Sequence, residues 1–201
     1  SLIVKVYRVN ALKYYQQVGE PVPLSLDLDG LVANEQNSCA YTEAPLRRVR
    51  RTFEFPQLAG RGVYVIEFIG SSKRSRVLVQ KGRLAYVSKL TPAGHEFTIL
   101  DEASKPLPDA KIWMAGRFYE ADKDGTITLP YTTEPKSQPI VLVHGGAATL
   151  TSFDHKAESY KLACGFYVDR EALLDRRNAT LLVRPQLTVT GQPVSLKLLK
   201  E

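Results

Sequence analysis

The sequence contains few of the residues that usually build disulfide frameworks, metal sites and catalytic centres. Its 201 residues include two cysteines, three histidines, one tryptophan and one methionine. Cys39 and Cys164 are too few for a disulfide framework or for a zinc site, which needs about four ligands. Two small buried side chains are the favoured interpretation, and one long-range bridge in an oxidising compartment is the alternative.

Catalytic and cofactor motifs are missing from the sequence as well. His95, His144 and His155 show neither HxH nor HExxH spacing, and there is no GxSxG elbow, P-loop or dinucleotide fingerprint. Residues 122–125 resemble the start of a calcium loop, but Thr133 stands where the closing Glu is required. We therefore expect no catalytic residues, no metal and no cofactor. A hydrolase that uses His144 or His155 is kept as an alternative.

The chain also has no long apolar run and no leader. The densest apolar stretch, residues 63–69, is interrupted by Glu67. A membrane-spanning helix needs about 18 apolar residues, so we expect no membrane span. The chain begins at Ser1 without a basic and then apolar segment. We expect a piece excised from a longer protein, with a processed N-terminus as the alternative.

What the sequence does contain is a regular series of short strands. Hydrophobic residues make up 44% and charged residues 24%, as in ordinary globular domains. Alternating or β-branched segments are separated by Gly, Pro and Asp turns, which is typical of β-sandwiches. The predicted strands are residues 2–9, 24–28, 46–55, 63–69, 74–81, 83–89, 96–100, 109–114, 117–120, 126–130, 139–143, 160–168, 180–184 and 193–200. Residues 147–153 are interpreted as a strand or a loop.

These strands predict an all-β protein with two consecutive Ig-like or macroglobulin-like β-sandwich domains and a short connector helix. The predicted domains are residues 1–90 and 91–168, divided at the turn of residues 91–94. Residues 169–201 are predicted to be the connector helix, over 169–177, and the first strands of a following domain. Residues 11–18 are interpreted as a helical turn or a loop, and residues 32–45 as a loop.

Two segments carry a resemblance to a known family. Residues 105–110 read Lys-Pro-Leu-Pro-Asp-Ala, and residues 122–131 contain Asp-x-Asp-Gly-x-Ile-x-Leu-Pro-Tyr. They resemble small β-sandwich modules of large bacterial extracellular proteins. The start of the chain and residues 184–201, with Thr190 at the usual proline position, are similar to macroglobulin domains of bacterial alpha-2-macroglobulin-like proteins.

The resemblance implies a scaffold role in a secreted or cell-envelope protein. In that family such modules frame the entrapment of proteases, and covalent capture depends on a thioester motif of the Cys-x-x-Gln type. Neither Cys39 nor Cys164 is followed by that motif. The resemblance therefore implies a non-catalytic structural module located outside the cell, in the periplasm or at the cell surface. Its expected partners are neighbouring domains of the same chain and a protein such as a protease.

Basic residues are the one feature with potential for ligand binding. The net charge is +6 and the isoelectric point is about 9.3. The candidate contacts for a polyanion are Arg47, Arg48, Arg50, Arg51, Arg74 and Arg76. Paired strands would place them on one basic face that binds an anionic polymer such as a polysaccharide. A solvated edge that prevents strand-to-strand aggregation is the favoured interpretation. Aromatic residues are not interleaved with the arginines, so we expect no nucleic-acid partner.

Trp113 lies on a predicted strand and has two interpretations. It is either a core anchor or an exposed platform for stacking on a sugar. Burial is favoured, because one Trp contributes a large share of the apolar surface of a small core.

Overall fold

The computed structural model describes residues 1–44, 47–174 and 178–199, with only the backbone described at residue 57. Within those residues the chain forms fourteen strands and two α-helices, which confirms the all-β Ig-like fold class. The chain divides into two units. Unit one comprises Ser1–Val87, Thr98–Ile127 and Gln138–Phe153, and unit two comprises Ser88–Phe97, Thr128–Ser137 and Asp154–Glu201.

The first sheet of unit one is antiparallel and is built around a central hydrophobic strand. Its strands are β1 (Leu2–Val9), β2 (Glu35–Cys39), β3 (Gly62–Gly70) and β4 (Lys73–Lys81), in the spatial order β2-β1-β3-β4. β3 is rich in β-branched and aromatic residues, which suit a pleated buried surface, and its first six residues are buried. Helix α1 (Ala11–Val18) follows β1, and the Asn10 side chain caps it by accepting the Lys13 N–H at 3.1 Å.

Irregular segments cover both faces of this sheet. On one face, residues 53–58 supply apolar side chains to the cluster Val4, Val6, Leu58, Tyr64 and Ile66, with Phe53 and Phe55 packed against it. On the other face, residues 26–33 cover the cluster Tyr7, Leu28 and Val65, with Leu26 and Ala33 packed against it. The alternation of side chains along β1 and β3 therefore places apolar residues on both faces of the sheet.

Two further sheets follow along the chain. One contains β7 (Lys111–Met114), β8 (Arg117–Glu120), β10 (Lys136–His144) and β11 (Ala147–His155) in the order β11-β10-β7-β8. The other contains β5 (Ala85–Thr91), β6 (Gly94–Leu100) and β9 (Ile127–Leu129) in the order β5-β6-β9. In the part of unit one that these two sheets include, the largest fully buried side chains are aliphatic: Ile99, Ile112, Ile127, Ile140, Val141 and Leu142.

The last sheet lies in unit two. Its strands are β12 (Tyr160–Val168), β13 (Leu181–Val189) and β14 (Gln192–Val194), in the order β12-β13-β14. Helix α2 (Arg170–Leu174) lies between β12 and β13. Most of β12 is exposed on both faces, whereas Leu187 and Val189 of β13 are buried. No helix in the described ranges is both long enough and apolar enough to span a membrane.

The structure confirms most predicted strands but corrects four segments. Residues 24–28 are not a strand, because the carbonyls of Leu24 and Leu26 accept hydrogen bonds from the Arg76 guanidinium, at 3.4 and 2.7 Å. Residues 47–55 also contain no strand, and the predicted loop over 32–45 contains β2. The predicted strand 193–200 is short β14 followed by a 3-10 turn.

Both predicted helices are present in the described residues. Residues 11–18 form a helix, which decides between the two interpretations of that segment. In the connector, the described part of α2 ends at Leu174. The predictions for residues 45–46, 175–177 and 200–201 lie outside the described residues.

Candidate interaction groove

The arginine-rich segment after β2 forms one wall of an open groove in unit one. The groove has a volume of about 780 Å³. We call it the basic groove, and its lining combines cationic, aromatic and aliphatic side chains with one carboxylate: Leu2, Tyr41, Glu43, Ala44, Arg47, Arg48, Val49, Arg51, Phe53 and Ser71. Phe53 anchors the segment, because its ring packs on that of Phe68 of β3 with 5.4 Å between centroids.

Arg51 is held in place by two neighbours. Its Nη2 donates to both carboxylate oxygens of Glu43, at 2.6 and 2.7 Å. Its guanidinium also lies 5.3 Å from the centroid of the Tyr41 ring, within cation–π range. A hydrogen bond from its own backbone N–H and the adjacent Arg51 lower the pKa of the Glu43 carboxyl. Glu43 therefore remains ionised at neutral pH and neutralises Arg51.

Arg47 and Arg48 differ from Arg51 in their pairing. Both are exposed. Within the described residues, neither guanidinium has a carboxylate within 4.0 Å. Two positive charges of the groove are therefore available to a ligand from solvent.

The other predicted arginines do not line the groove. Arg50 is exposed beside it. On β4, Arg74 Nη1 lies 3.9 Å from Asp29 Oδ1, with both side chains exposed. Arg76 makes a structural contact, because its Nε donates to Glu67 Oε1 at 2.9 Å and Glu67 is only 3% exposed. The structure thus brings Arg47, Arg48 and Arg51 together and assigns Arg76 a structural contact.

A second feature of unit one is a junction between the first sheet and the strands after residue 84. Ala11 and Tyr15 of α1 pack in one buried cluster with Val63 of β3, Val141 of β10 and Ala148 of β11. Trp113 is half-buried and packs against the same cluster. Its interpretation as a core residue is therefore the one that the contacts support.

Polar contacts reinforce this junction. The backbone N–H groups of Gly82 and Arg83 both donate to Glu102 Oε1, each at 3.0 Å. The Leu84 N–H donates to the hydroxyl of buried Thr149 at 2.9 Å. The linker of residues 82–84 is thus fixed by Glu102, in the turn after β6, and by Thr149 of β11.

His144 connects two charged side chains at the same junction. Arg61 Nη1 is 3.2 Å from His144 Nδ1, and His144 Nε2 is 2.9 Å from Asp109 Oδ1. Since Arg61 can only donate, Nδ1 accepts and the Nε2–H donates to Asp109. His144 therefore serves as a structural bridge between Arg61 and Asp109.

The other two histidines meet in unit two. The rings of His95 and His155 are 5.5 Å apart and edge to face. The Lys156 N–H donates to His95 Nε2 at 3.1 Å, and His155 Nε2 donates to the Pro130 carbonyl at 2.8 Å. The pKa of His95 is lowered, mainly by its burial and to a smaller extent by the nearby His155. Across the described residues, no cluster of three or more His, Cys, Asp or Glu side chains could hold a metal ion.

Sequence reasoning missed several groove and junction residues. Tyr41 and Glu43 lie in a segment without strand or helix periodicity, and nothing local indicates that they meet Arg51. The turn at Asp122 was predicted correctly, since its Oδ1 accepts the N–H groups of Asp124 and Thr126, each at 2.9 Å. Cys39 and Cys164 carry free thiols.

Comparison with known proteins relates most of the chain to one kind of domain. Residues 2–82 match the family model described as the AbpF first immunoglobulin-like domain, and residues 169–201 match that of the AbpF third immunoglobulin-like domain. Actin-binding protein F of Dictyostelium discoideum is 33% identical over 208 residues, an alignment that includes 100% of this chain and 9% of the relative. The chain therefore spans about a tenth of the length of that relative. No solved structure matches the chain.

These matches correct three predictions. The resemblance to bacterial alpha-2-macroglobulin-like proteins is wrong, because the matching domains are Ig-like domains named after an actin-binding protein. Turn motifs such as those at residues 105–110 and 122–131 serve any β-sandwich, so they misled the assignment. The extracellular, periplasmic or cell-surface location and a macroglobulin-type secreted role are also wrong, because the relative binds actin, a cytoskeletal protein.

Proposed function

We propose that this chain, whose Ig-like domains are similar to those of an actin-binding protein, is a non-catalytic protein-binding arm of a longer actin-binding protein. It acts by holding the first sheet and the later strands of unit one in a fixed arrangement and presenting a surface to actin filaments. The observation that carries the proposal is the junction of unit one, where α1 and the residue 82–84 linker are built into the later strands.

The junction supports a rigid arm for a physical reason. Flexible linkers between domains are exposed and make few contacts, so the domains they join move independently. Here Ala11 and Val63 are buried against Val141 and Ala148, and Glu102 accepts two linker N–H groups. Bending at the linker would expose this apolar surface and break both hydrogen bonds. A fixed arrangement reduces the entropy lost when such an arm binds its partner.

The chemistry of the side chains supports binding rather than catalysis. Each histidine has a structural partner: His144 bridges Arg61 and Asp109, and His95 and His155 bond to backbone groups. A hydrolase using His144 or His155 would need the imidazole free to accept a proton from a nucleophile. The chain instead carries exposed arginines, and its net charge of +6 favours association with acidic surfaces.

Cosedimentation with filamentous actin tests the proposal. The purified chain is mixed with increasing actin at about 50 mM salt and centrifuged at high speed, and the pelleted fraction is measured. We expect saturable pelleting that weakens as salt rises, because exposed arginines supply the attraction. Bovine serum albumin in place of the chain gives the background of trapped protein. A chain that stays in the supernatant at every actin concentration contradicts the proposal.

A further inference from the structure

We infer that the basic groove is a binding site for an acidic, apolar-bearing segment exposed on the actin filament. This inference rests on the proposed function for the identity of the partner. The groove itself indicates the chemistry of the ligand, through two guanidinium groups that pair with no carboxylate of the described residues and through its apolar lining residues.

Charge complementarity selects an acidic ligand. Arg47 and Arg48 are exposed at one wall of the groove, and no carboxylate of the described residues pairs with them. Guanidinium groups match carboxylates in geometry and form paired N–H···O bonds with them. A segment carrying two Asp or Glu residues would therefore satisfy both arginines at once.

The lining of the groove argues against a uniform polyanion. Glu43 is ionised inside the groove and occupies Arg51, so a densely charged polysaccharide would meet a fixed negative charge. Leu2, Val49 and Phe53 line the same groove and offer apolar surface that a sulfated sugar cannot use. A peptide segment that places an apolar side chain between its carboxylates fits both properties.

The segment that carries the site is held by the core of the first sheet. Phe53 packs on Phe68 of β3, and Arg51 is fixed between Glu43 and the Tyr41 ring. Phe53 and Arg51 are therefore held in place before a ligand binds, and they form a preorganised wall of the groove. Among the described residues that line the groove, Arg47 and Arg48 are the two arginines that no carboxylate neutralises.

The experiment compares matched pairs of charge removals in the actin assay. The test variant is Arg47→Gln with Arg48→Gln, and the control is Lys13→Gln with Lys123→Gln, two exposed lysines of unit one outside the groove. Both variants lose two positive charges, so non-specific attraction falls equally. We expect the test variant to bind filamentous actin about three- to tenfold more weakly than the control, as for the loss of two exposed ion pairs. Melting temperatures within about 2 °C of the wild type show that both variants fold.

The outcomes separate the groove from the function of the arm. If both variants bind actin as weakly as each other, the groove is not the site, while binding by the wild type still supports the arm. If the wild type does not bind at all, both proposals fail. A competition experiment with heparin tests whether the groove prefers a polyanion. If a low concentration of heparin displaces the wild type and the control variant from actin equally, the preference for a peptide over a polyanion is overturned.

Discussion

Gly94, the first residue of β6, occupies a position that no other residue fits. Its φ is +135°, and a Cβ added there would lie 2.2 Å from the carbonyl oxygen of Leu129. The contact is with backbone, which cannot turn away as a flexible side chain would. We expect Gly94→Ala to lower the free energy of unfolding by about 3 kcal/mol, from steric overlap and backbone strain together.

Gly116 provides the matched control for this prediction. Its φ is +89°, and a Cβ there meets nothing within 4 Å. Gly116→Ala should therefore cost about 1–2 kcal/mol, from the left-handed conformation alone. Urea denaturation followed by circular dichroism measures both variants. Equal losses for the two substitutions would contradict the contact with Leu129.

His95 makes the stability of unit two depend on pH. Burial and the neighbouring His155 lower the pKa of His95, and its Nε2 accepts the Lys156 N–H, so protonation would place two donors face to face. A base whose folded-state pKa is depressed takes up protons more readily when unfolded. Its contribution to stability is thus complete above the unfolded pKa near 6.5 and is lost as the pH falls from that value through the lower folded-state pKa.

The substitution His95→Gln tests this pH dependence. The Gln side-chain oxygen can still accept the Lys156 N–H but does not titrate. The charged neighbours Asp154 and Lys156 and the ring of Tyr131 remain in place in the variant. We expect the wild type to lose more stability than the variant between pH 7.5 and pH 5.5. Parallel pH profiles of the melting temperature would show that His95 does not titrate in this range.

At the scale of elements, the pairing of β3 and β4 fixes a buried charge. Glu67 lies opposite Arg76 in the register, and Arg76 also donates to the carbonyls of Leu24 and Leu26. Arg76→Met leaves the Glu67 carboxylate buried without its cation. We expect a loss of about 2–4 kcal/mol in the free energy of unfolding, because an unpaired buried charge is costly.

Arg74 is the control on the same strand. It lies two residues away, and its contact with Asp29 is long and exposed. Arg74→Met should therefore change stability by less than about 0.5 kcal/mol. Chemical denaturation distinguishes the two. A small effect at both positions would mean that Arg76 is not a structural residue.

The elements also show what the sequence can and cannot predict. β3 and β10 were predictable because their β-branched runs are bounded by turns, and the turn at Asp122 because Asp and Gly encode it locally. Polar and apolar residues alternate along segment 24–28 as in a strand. Its Leu26 carbonyl nevertheless accepts a hydrogen bond from Arg76, which lies 50 residues away in sequence. β2 was predicted as a loop because its residues are polar and mostly exposed, and its pairing with β1 could not be read from that pattern. The division at residues 90 and 168 stays a prediction.

At the scale of the whole molecule, the same limit applies to the candidate site. The arginine cluster was visible in the sequence, but its division into free, neutralised and structural members was not. That division depends on Glu43, Tyr41 and Glu67, whose contacts arise only when the chain folds. The junction was equally hidden, because the linker N–H groups find Glu102 about 20 residues later.

If the first sheet and the later strands of unit one move as one body, the arm presents its surface in a fixed orientation. Pulsed electron spin resonance on spin labels at Lys73 and Lys123, both in unit one, tests it directly. Cys39 and Cys164 are first replaced by Ser so that only the introduced cysteines are labelled.

We expect a narrow distance distribution for this doubly labelled chain. The distribution should broaden when Tyr15→Ala and Glu102→Ala are added, since these changes remove a buried side chain of the junction and the acceptor of the linker N–H groups. A distribution that is already broad without them, and that they leave unchanged, would contradict the rigid arm.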